Sequence, residues 1–548
     1  MTEPQLILGP VLRHVDATSA TIWVETDRPC RVEVLGSGSR TFCVGGHHYG
    51  LVVVTGLTPG ESRPYTVTLD GDTVWPLPDS PFPASRIRTH AADQGSRLRM
   101  VFGSCRFAAP LTARKRRRVG DDALNAYAER MAEQPDAQWP DVLLLLGDQV
   151  YADETSPRVR DWIKQRRDTG KPPGIGVADF EECTYLYRET WADPEIRWLM
   201  STVSTSMIFD DHDVIDDWNT SAAWRRDMAR SPWWPERIRG SLMAYWLYQH
   251  LGNLTPDDLA ADPTLAEVRR VGETGDAYDV LHEFAGRADA EVGGTKSMRW
   301  SYRRDVGSVR LVVIDTRSGR ILDGQRLMVS DDEFGWIEDA TSGDYEHLLI
   351  GSSLPWLLPH AVHELESVNE RACDRGGARG WLAERVRRAI DLEHWAAFRT
   401  SFDRLTALLR AIGNGERTTR PPATVRVLSG DVHHSYVAEA TFDGQESPRV
   451  WQLTCSPVHN TIQRVAEWAF RITWSPGVTR AVSRWARRRG VEPRPVWWRK
   501  LFGPDFRNFV AVVDIDDRDY VVTFRSDAAA GEPVTVPLAH NGDSVVQG

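Results

Sequence analysis

Five short polar clusters, each placed directly after an apolar run, carry the residue types from which metal chemistry is built. They are Gly103-Ser104-Cys105, Gly147-Asp148 with Tyr151 just beyond, Asp210-Asp211-His212, Asp315-Thr316-Arg317, and Gly430-Asp431-Val432-His433-His434. Gathered at one sheet edge, they would bring together carboxylates, imidazoles, a phenol and a thiol. Burying that many anionic groups costs several kcal/mol each unless cations neutralise them. Carboxylates with imidazole and phenolate suit two or more di- or trivalent ions. Asp431 and His433 are two residues apart and reach one site only if the backbone turns between them. Each cluster has a plainer reading when taken alone. Asp148 could cap the following turn, and Cys105 could be a small buried residue. The acids around Asp210 could be a solvated turn, and His433 and His434 an ordinary pair with one ring buried. The ordered combination is harder to dismiss than any member of it.

The elements that must position these groups are legible as apolar runs. Val142 to Leu146 is unbroken and apolar, as in a strand covered on both faces. Asp148 follows it, at the carboxyl end where open α/β sheets bind their ligands, and Gly147 lets the chain turn there. LRMVFG, TSMIF, LVVI, HLLIGS and TVRVLS read as further strands. Asp121-Asp122 is expected to cap a helix with Leu124, Tyr127 and Met131 on one face. Ala113–Gly120 reads as a charged loop. Helices are expected through 155–200, 221–290 and 379–410, and a terminal hairpin over Phe509–Ile515 and Tyr520–Arg525. Residues 5–90 differ in texture: short alternating runs such as SATIWVETD and YGLVVVTGL, separated by turns, read as a β-sandwich. Thr89–Gly95 is a polar connector.

At 548 residues the chain exceeds one core, so at least two domains are expected. A net charge of −11 argues against general nucleic-acid binding. The six cysteines lack paired metal spacing and imply no disulfide framework; Cys30 and Cys43 read as a reduced pair. No basic leader or long apolar span is seen, and a cytoplasmic location is expected. Arg464–Arg507 stands apart for its Arg and Trp content. Its two readings are a flap packed over the site or the sandwich, and a contact with an anionic membrane surface.

The stretches FGSCRF, GDQVYAD, FDDHDVIDDW, LVVIDTRSGR and SGDVHHSY, in that order, resemble the alkaline phosphatase D (PhoD-like) branch of the metallophosphoesterases. The resemblance implies an α/β fold with a four-layer β-sheet core flanked by helices over 96–548, preceded by an all-β fibronectin III- or Ig-like sandwich over 1–95. It implies hydrolysis of phosphate esters with trivalent iron (Fe3+) and calcium (Ca2+) as cofactors. Asp148 would bridge the ions and Tyr151 and Cys105 would hold the iron. Asp211 would hold the second ion, and Asp431 and His433 would complete the shell. His212 would stand beside the phosphate, stabilising charge or protonating the leaving group, with Arg317 and His434 at the substrate. Arg317 and Arg320 are expected as phosphate clamps, with internal salt bridges as the competing role. GSSLPW stands where purple acid phosphatases place a metal-binding histidine, which favours an oxygen-rich calcium site; His360 and His363 lie nearby but do not fit that motif. The alternatives within this reading are a phosphodiesterase or phospholipase-type activity, and a non-catalytic binding protein with structural metals.

Overall fold

A computed structural model describes residues 3–538 except 109–118, 292–297, 443–449, 461–463 and 527–531. Most of the charged loop expected at Ala113–Gly120 lies outside the described residues.

The N-terminal part is all β. Strands β1 (Leu6–Val15), β2 (Ser19–Thr26), β5 (Phe42–Val44) and β6 (His47–Thr55) form one antiparallel sheet; β3 (Arg31–Val34), β4 (Ser37–Arg40), β8 (Val67–Leu69) and β9 (Asp72–Trp75) form a second. A short pair, β7 (Ser62–Pro64) and β10 (Arg86–Arg88), closes the unit. Alternation sorts the side chains: Ile22, Val24, Val52 and Val54 fill the core of this part. Trp23, Tyr49 and Leu51, pointing the other way, join the core of the following part. His47 reinforces that junction, with Nδ1 at 2.9 Å from Glu25 and Nε2 at 2.8 Å from Glu181 on the helix Phe180–Trp191.

Two mixed sheets follow. One has the order β13-β12-β11-β21-β22-β23, from β11 (Leu98–Gly103), β12 (Val142–Leu146), β13 (Ser204–Ile208), β21 (Phe509–Asp516), β22 (Asp519–Ser526) and β23 (Val534–Pro537). The other runs β14-β15-β16-β17-β19-β18-β20, from β14 (Tyr302–Val306), β15 (Val309–Ile314), β16 (His347–Ser352), β17 (Thr424–Ser429), β18 (Ser435–Phe442), β19 (Val450–Thr454) and β20 (Val496–Asp505). Within them β11, β12 and β13 are parallel, as are β15, β16, β17 and β19.

Period-two alternation shows the layering. Leu311 and Val313 of β15, Leu349 of β16 and Leu428 of β17 face the core shared with the first sheet. Val312, Ile314, Leu348, Ile350, Val425 and Val427 face a second core, completed by Phe402, Leu405 and Leu409 of the helix Arg399–Gly413. Helices therefore cover the outer faces of two stacked sheets, the four-layer arrangement expected. The capped helix begins at Asp122, whose carboxylate accepts from Leu124 N and Asn125 N, and buries Leu124, Tyr127 and Met131. All six cysteines are free. Among the described residues no helix is long and apolar enough to cross a membrane.

Candidate metal centre

The carboxyl ends of β11, β12, β13 and β17 converge. Backbone bonds tie the first two together past their last residues: Cys105 N donates to Gly147 O and Arg106 N to Asp148 O, each at 3.2 Å. The loop after β13 is tied in by Asp213, whose Oδ2 accepts from both Asp148 N and Asp210 N at 2.9 Å. The loop after β17 is tied in by Ser104, whose Oγ accepts from Asp431 N at 3.1 Å. Close approach requires glycine here: a Cβ on Gly147, at φ +102°, would lie 2.5 Å from Asp210 Cβ.

Four non-glycine residues at this edge adopt left-handed backbone: Cys105 (φ 58°), Asp148 (53°), Asp431 (68°) and His433 (48°). Such conformations are uncommon in non-glycine residues, cost about 1 kcal/mol or more each, and gather at functional sites. They turn side chains inward that a regular strand continuation would send apart, which is how Asp431 and His433 come to the same edge.

Three sets of donor atoms result, each within 4.8 Å of one another: Cys105, Asp148 and His433; Asp148, Asp211 and His212; and Asp210, Asp211 and Asp431. Asp148 belongs to the first two and Asp211 to the last two, so the sets adjoin. The Tyr151 ring packs on His212 at 4.7 Å between centroids, and its hydroxyl accepts from Asn460 Nδ2 at 2.8 Å.

The electrostatics is that of a place short of positive charge. Burial, then the neighbouring Asp211, Asp210 and Asp213, push the Asp148 carboxyl well above the ordinary carboxylate range against the pull of His212. Burial likewise raises Asp210 and Asp211, each opposed by Arg317. Burial and then the charges of Asp148 and Asp431 push the Cys105 thiol far up. Burial, Cys105 and Asp148 do the same to Tyr151. His433 is pushed down to about 4 by burial and stays neutral, as a ligand imidazole must. Asp148 Oδ1 is buried with no hydrogen-bond partner among the described residues, a costly state for a carboxylate.

These features fit a cation at the first set and, through the oxygens of Asp148 and Asp211, at the second, where the protonated His212 stands beside the carboxylates rather than ligating. The third differs. Arg317 is fully buried among its carboxylates: Nε bonds Asp210, NH2 lies 3.3 Å from Asp211 and 3.5 Å from Asp431, and NH1 lies 2.5 Å from Glu393. A guanidinium already balances that charge, so the residues present do not fit a further cation there.

The structure also revises individual expectations. Arg317 is enclosed by carboxylates rather than held open for phosphate. Arg320 is buried too, donating from Nε to Thr316 O and from NH1 to Asn219 O, with Glu393 alongside. Both take the internal salt-bridge role. His434 joins none of the sets: Nδ1 pairs with Val432 O at 2.7 Å and the ring packs against Tyr436, Phe470 and Phe506. Asp431 faces His394, whose Nε2 lies 3.0 Å from Oδ2, and Arg317 on its other oxygen. His360 and His363 stay outside, beside Arg494 and Trp498.

Several residues of the site did not stand out as sequence. His394 and its partner Glu366, 2.7 Å from Nδ1, come from the 3-10 turn region at Trp395–Ala397 and the helix His360–Asp374, not from strand ends. Asp153 does stand out, in the polar cluster that follows the Val142–Leu146 run, but its pairing with His212 does not: its Oδ1 lies 2.9 Å from His212 Nδ1. Burial opposes charge on that ring, but Asp153 outweighs it and holds the His212 imidazolium well above the ordinary histidine range.

Residues 118–281 match the PhoD-like phosphatase family, and residues 3–87 match a domain of unknown function, DUF7800. The stretch matched by the PhoD-like phosphatase family includes the β12 and β13 ends. No curated protein sequence matches it. A solved structure of PhoD superposes with a TM-score of 0.57 at 10% identity, covering 98% of this chain and 92% of its own. A purple acid phosphatase isolated from yellow lupin (Lupinus luteus) seeds covers 98% of this chain and 74% of its own at 12% identity, with a TM-score of 0.49. At such identity the likeness to PhoD is one of fold.

Proposed function

We propose that the chain is a metal-dependent phosphoesterase. The observation that carries this reading is the sharing of Asp148 between two adjoining donor sets at one sheet edge; Asp148, Asp211 and His212 lie inside the stretch that matches the PhoD-like phosphatases. The thiol of Cys105 and phenol of Tyr151, with Asp148 and His433, suit trivalent iron, a stronger Lewis acid than the divalent ions. Asp148 and Asp211, as oxygen donors, suit calcium. Bound there, the ions would supply Lewis acidity toward a phosphoryl group and acidify water.

The chain's own residues do the rest. Asp148 is held by its backbone bond to Asp213 with one oxygen left uncommitted. His212 is fixed through Nδ1 by Asp153, which leaves Nε2, 3.9 Å from the exposed Asp216, as the atom that can give a proton to a leaving alkoxide. The buried Arg317 offsets the charge of Asp210, Asp211 and Asp431 and keeps them from repelling an anionic substrate as strongly. Protein of measured metal content, assayed on a panel of phosphate mono- and diesters, tests the reading. Hydrolysis that chelation abolishes, metal restores and vanadate inhibits is expected; no hydrolysis of any ester by metal-replete protein would overturn it.

A further inference from the structure

The segment 464–507 carries eleven Lys and Arg against Glu467, Glu492 and Asp505, a net of +8, so the rest of a chain of net −11 carries −19. It folds as the helices Arg464–Thr473 and Pro476–Arg488 followed by β20. One side is anchored. Phe470 packs on His434 at 4.8 Å and Trp474 on Tyr436 at 5.4 Å, Ser483 bonds Glu364, and Ala486 is buried with Val368 and Val491. The inner side thus packs on the second sheet and the helix His360–Asp374, and the outer side is left unexplained.

That outer side joins bulky apolar groups to unpaired cations. Trp468, 71% exposed, and Ile472, 46% exposed, lie one turn apart. Arg480, Arg484, Arg487 and Arg488 are exposed and fall on one face of their helix by their spacing. Arg484, Arg487 and Arg488 have no ion-pair partner among the described residues. The nearby helix Gly377–Ala389 carries further exposed apolar groups. Both this helix and Pro476–Arg488 pack on His360–Asp374, and Arg375 NH2 donates to Arg489 O at 3.4 Å. There Trp381 and Leu382 are 61% and 59% exposed, with Arg385 over the Trp381 ring at 4.9 Å.

We infer that this surface docks on an anionic lipid bilayer, the Trp, Leu and Ile side chains entering the interface and the arginines meeting the headgroups. Tryptophan and arginine with apolar stems favour that interface. The local charge complements an acidic leaflet and is opposite to that of the remaining chain, which would orient the molecule. A binding groove for a nucleic acid or a peptide would enclose its aromatic rings, whereas these rings project.

The inference stands apart from the proposed chemistry, since an inactive protein would still dock. The test is flotation of the full, metal-loaded chain with vesicles of phosphatidylcholine alone and of phosphatidylcholine with phosphatidylserine at three to one, at low salt. Binding to the mixed vesicles only is expected, with a blue shift of tryptophan emission. R484E/R488E should weaken it about tenfold or more, since each basic residue near such a surface contributes about 1 kcal/mol. W468S/I472S and W381S/L382S should weaken it about fivefold while leaving circular dichroism and the unfolding midpoint unchanged. No flotation with the mixed vesicles would overturn the inference. So would apolar variants that float like wild type while soluble polyphosphate displaces the protein completely, because the surface would then be a polyanion site.

Discussion

Replacing Asp148 by Asn should have opposite effects on the metal-free and the metal-loaded protein. Asn tolerates the left-handed backbone that Asp148 adopts, and the Asp148 N bond to Asp213 is unaffected, so the change is one of charge. The oxygens of Asp148 and Asp211 come within 4.8 Å. At an effective dielectric constant of about 20, two unit charges at that distance repel by roughly 3 kcal/mol. Asp210 and Asp213 add to the repulsion and His212 offsets one such pair. Without metal, Asp148 either keeps its charge against that repulsion or takes up a proton on folding to avoid it, and Asn escapes both costs, so the variant should be more stable by about 3 kcal/mol at neutral pH. Over 548 residues, at about 2 cal/mol/K per residue, that is a rise in Tm of about 3 °C. With metal the order reverses. At a hundredfold excess over Kd, wild type gains about 2.7 kcal/mol from binding; the variant, lacking the donor common to two sets, should gain under half of that and lose its turnover. Calorimetry with and without chelator, alongside metal analysis, reads both effects. A metal-free variant that melts below wild type with unchanged circular dichroism would refute the charge argument, and an equal metal-induced shift in both proteins would refute the ligand assignment.

If His212 protonates the leaving group, His212→Ala should slow alkyl phosphates by about a hundredfold or more and nitrophenyl phosphate much less; equal losses on both would leave it only a role in charge stabilisation. Iron-loaded protein should absorb visible light through its phenolate and thiolate donors, and Tyr151→Phe and Cys105→Ser should each shift or weaken the band; a fully active, colourless, iron-free enzyme would remove the iron assignment. His47→Gln should destabilise the protein by about 1–2 kcal/mol after allowance for screening at the exposed Glu181. Glu181 and Glu25 outweigh burial and raise the ring to about 9, above the roughly 6.5 of an unfolded histidine. The contribution is therefore full below about pH 6.5 and lost as pH rises through about 9, so urea unfolding at pH 6 and pH 10 should show the gap between wild type and variant closing.

What could be read ahead of the structure was whatever depended on local order. The run Val142–Leu146 is covered on both faces and all of it is buried, and the polar groups after it fall where parallel strands end. Cys105, Asp148, Asp211, His212 and His433 reach common donor sets for that reason. What could not be read depended on facing partners. An arginine after an apolar strand is the same sequence whether it meets a phosphate or four carboxylates, and only packing shows that Arg317 meets carboxylates. His394 follows no apolar strand and comes to Asp431 by way of a helical layer. His434 differs from His433 by one position, and one position on an alternating chain is enough to send its ring among Tyr436, Phe470 and Phe506.

Arg317 also decides how the charge at the centre is partitioned. Asp210, Asp211 and Asp431 share one buried guanidinium with Glu393, and Asp431 has a second cationic partner in His394, which Glu366 and Asp431 hold well above the ordinary histidine range against burial. On this side the fold supplies its own counter-charge, and it does so with groups locked by hydrogen bonds. Around Asp148, among the described residues, the cation it supplies is His212, together with an unpartnered oxygen, a buried thiol and a neutral imidazole. A chain built merely to tolerate buried acids would have balanced both sides in the same way, because an uncompensated buried charge is the more expensive arrangement. The two stacked sheets with their separate cores hold the strained turns and the like charges in place at that cost. The imbalance lies at the residue common to two donor sets, where a bound cation would relieve the most repulsion and where a phosphoryl group would find positive charge.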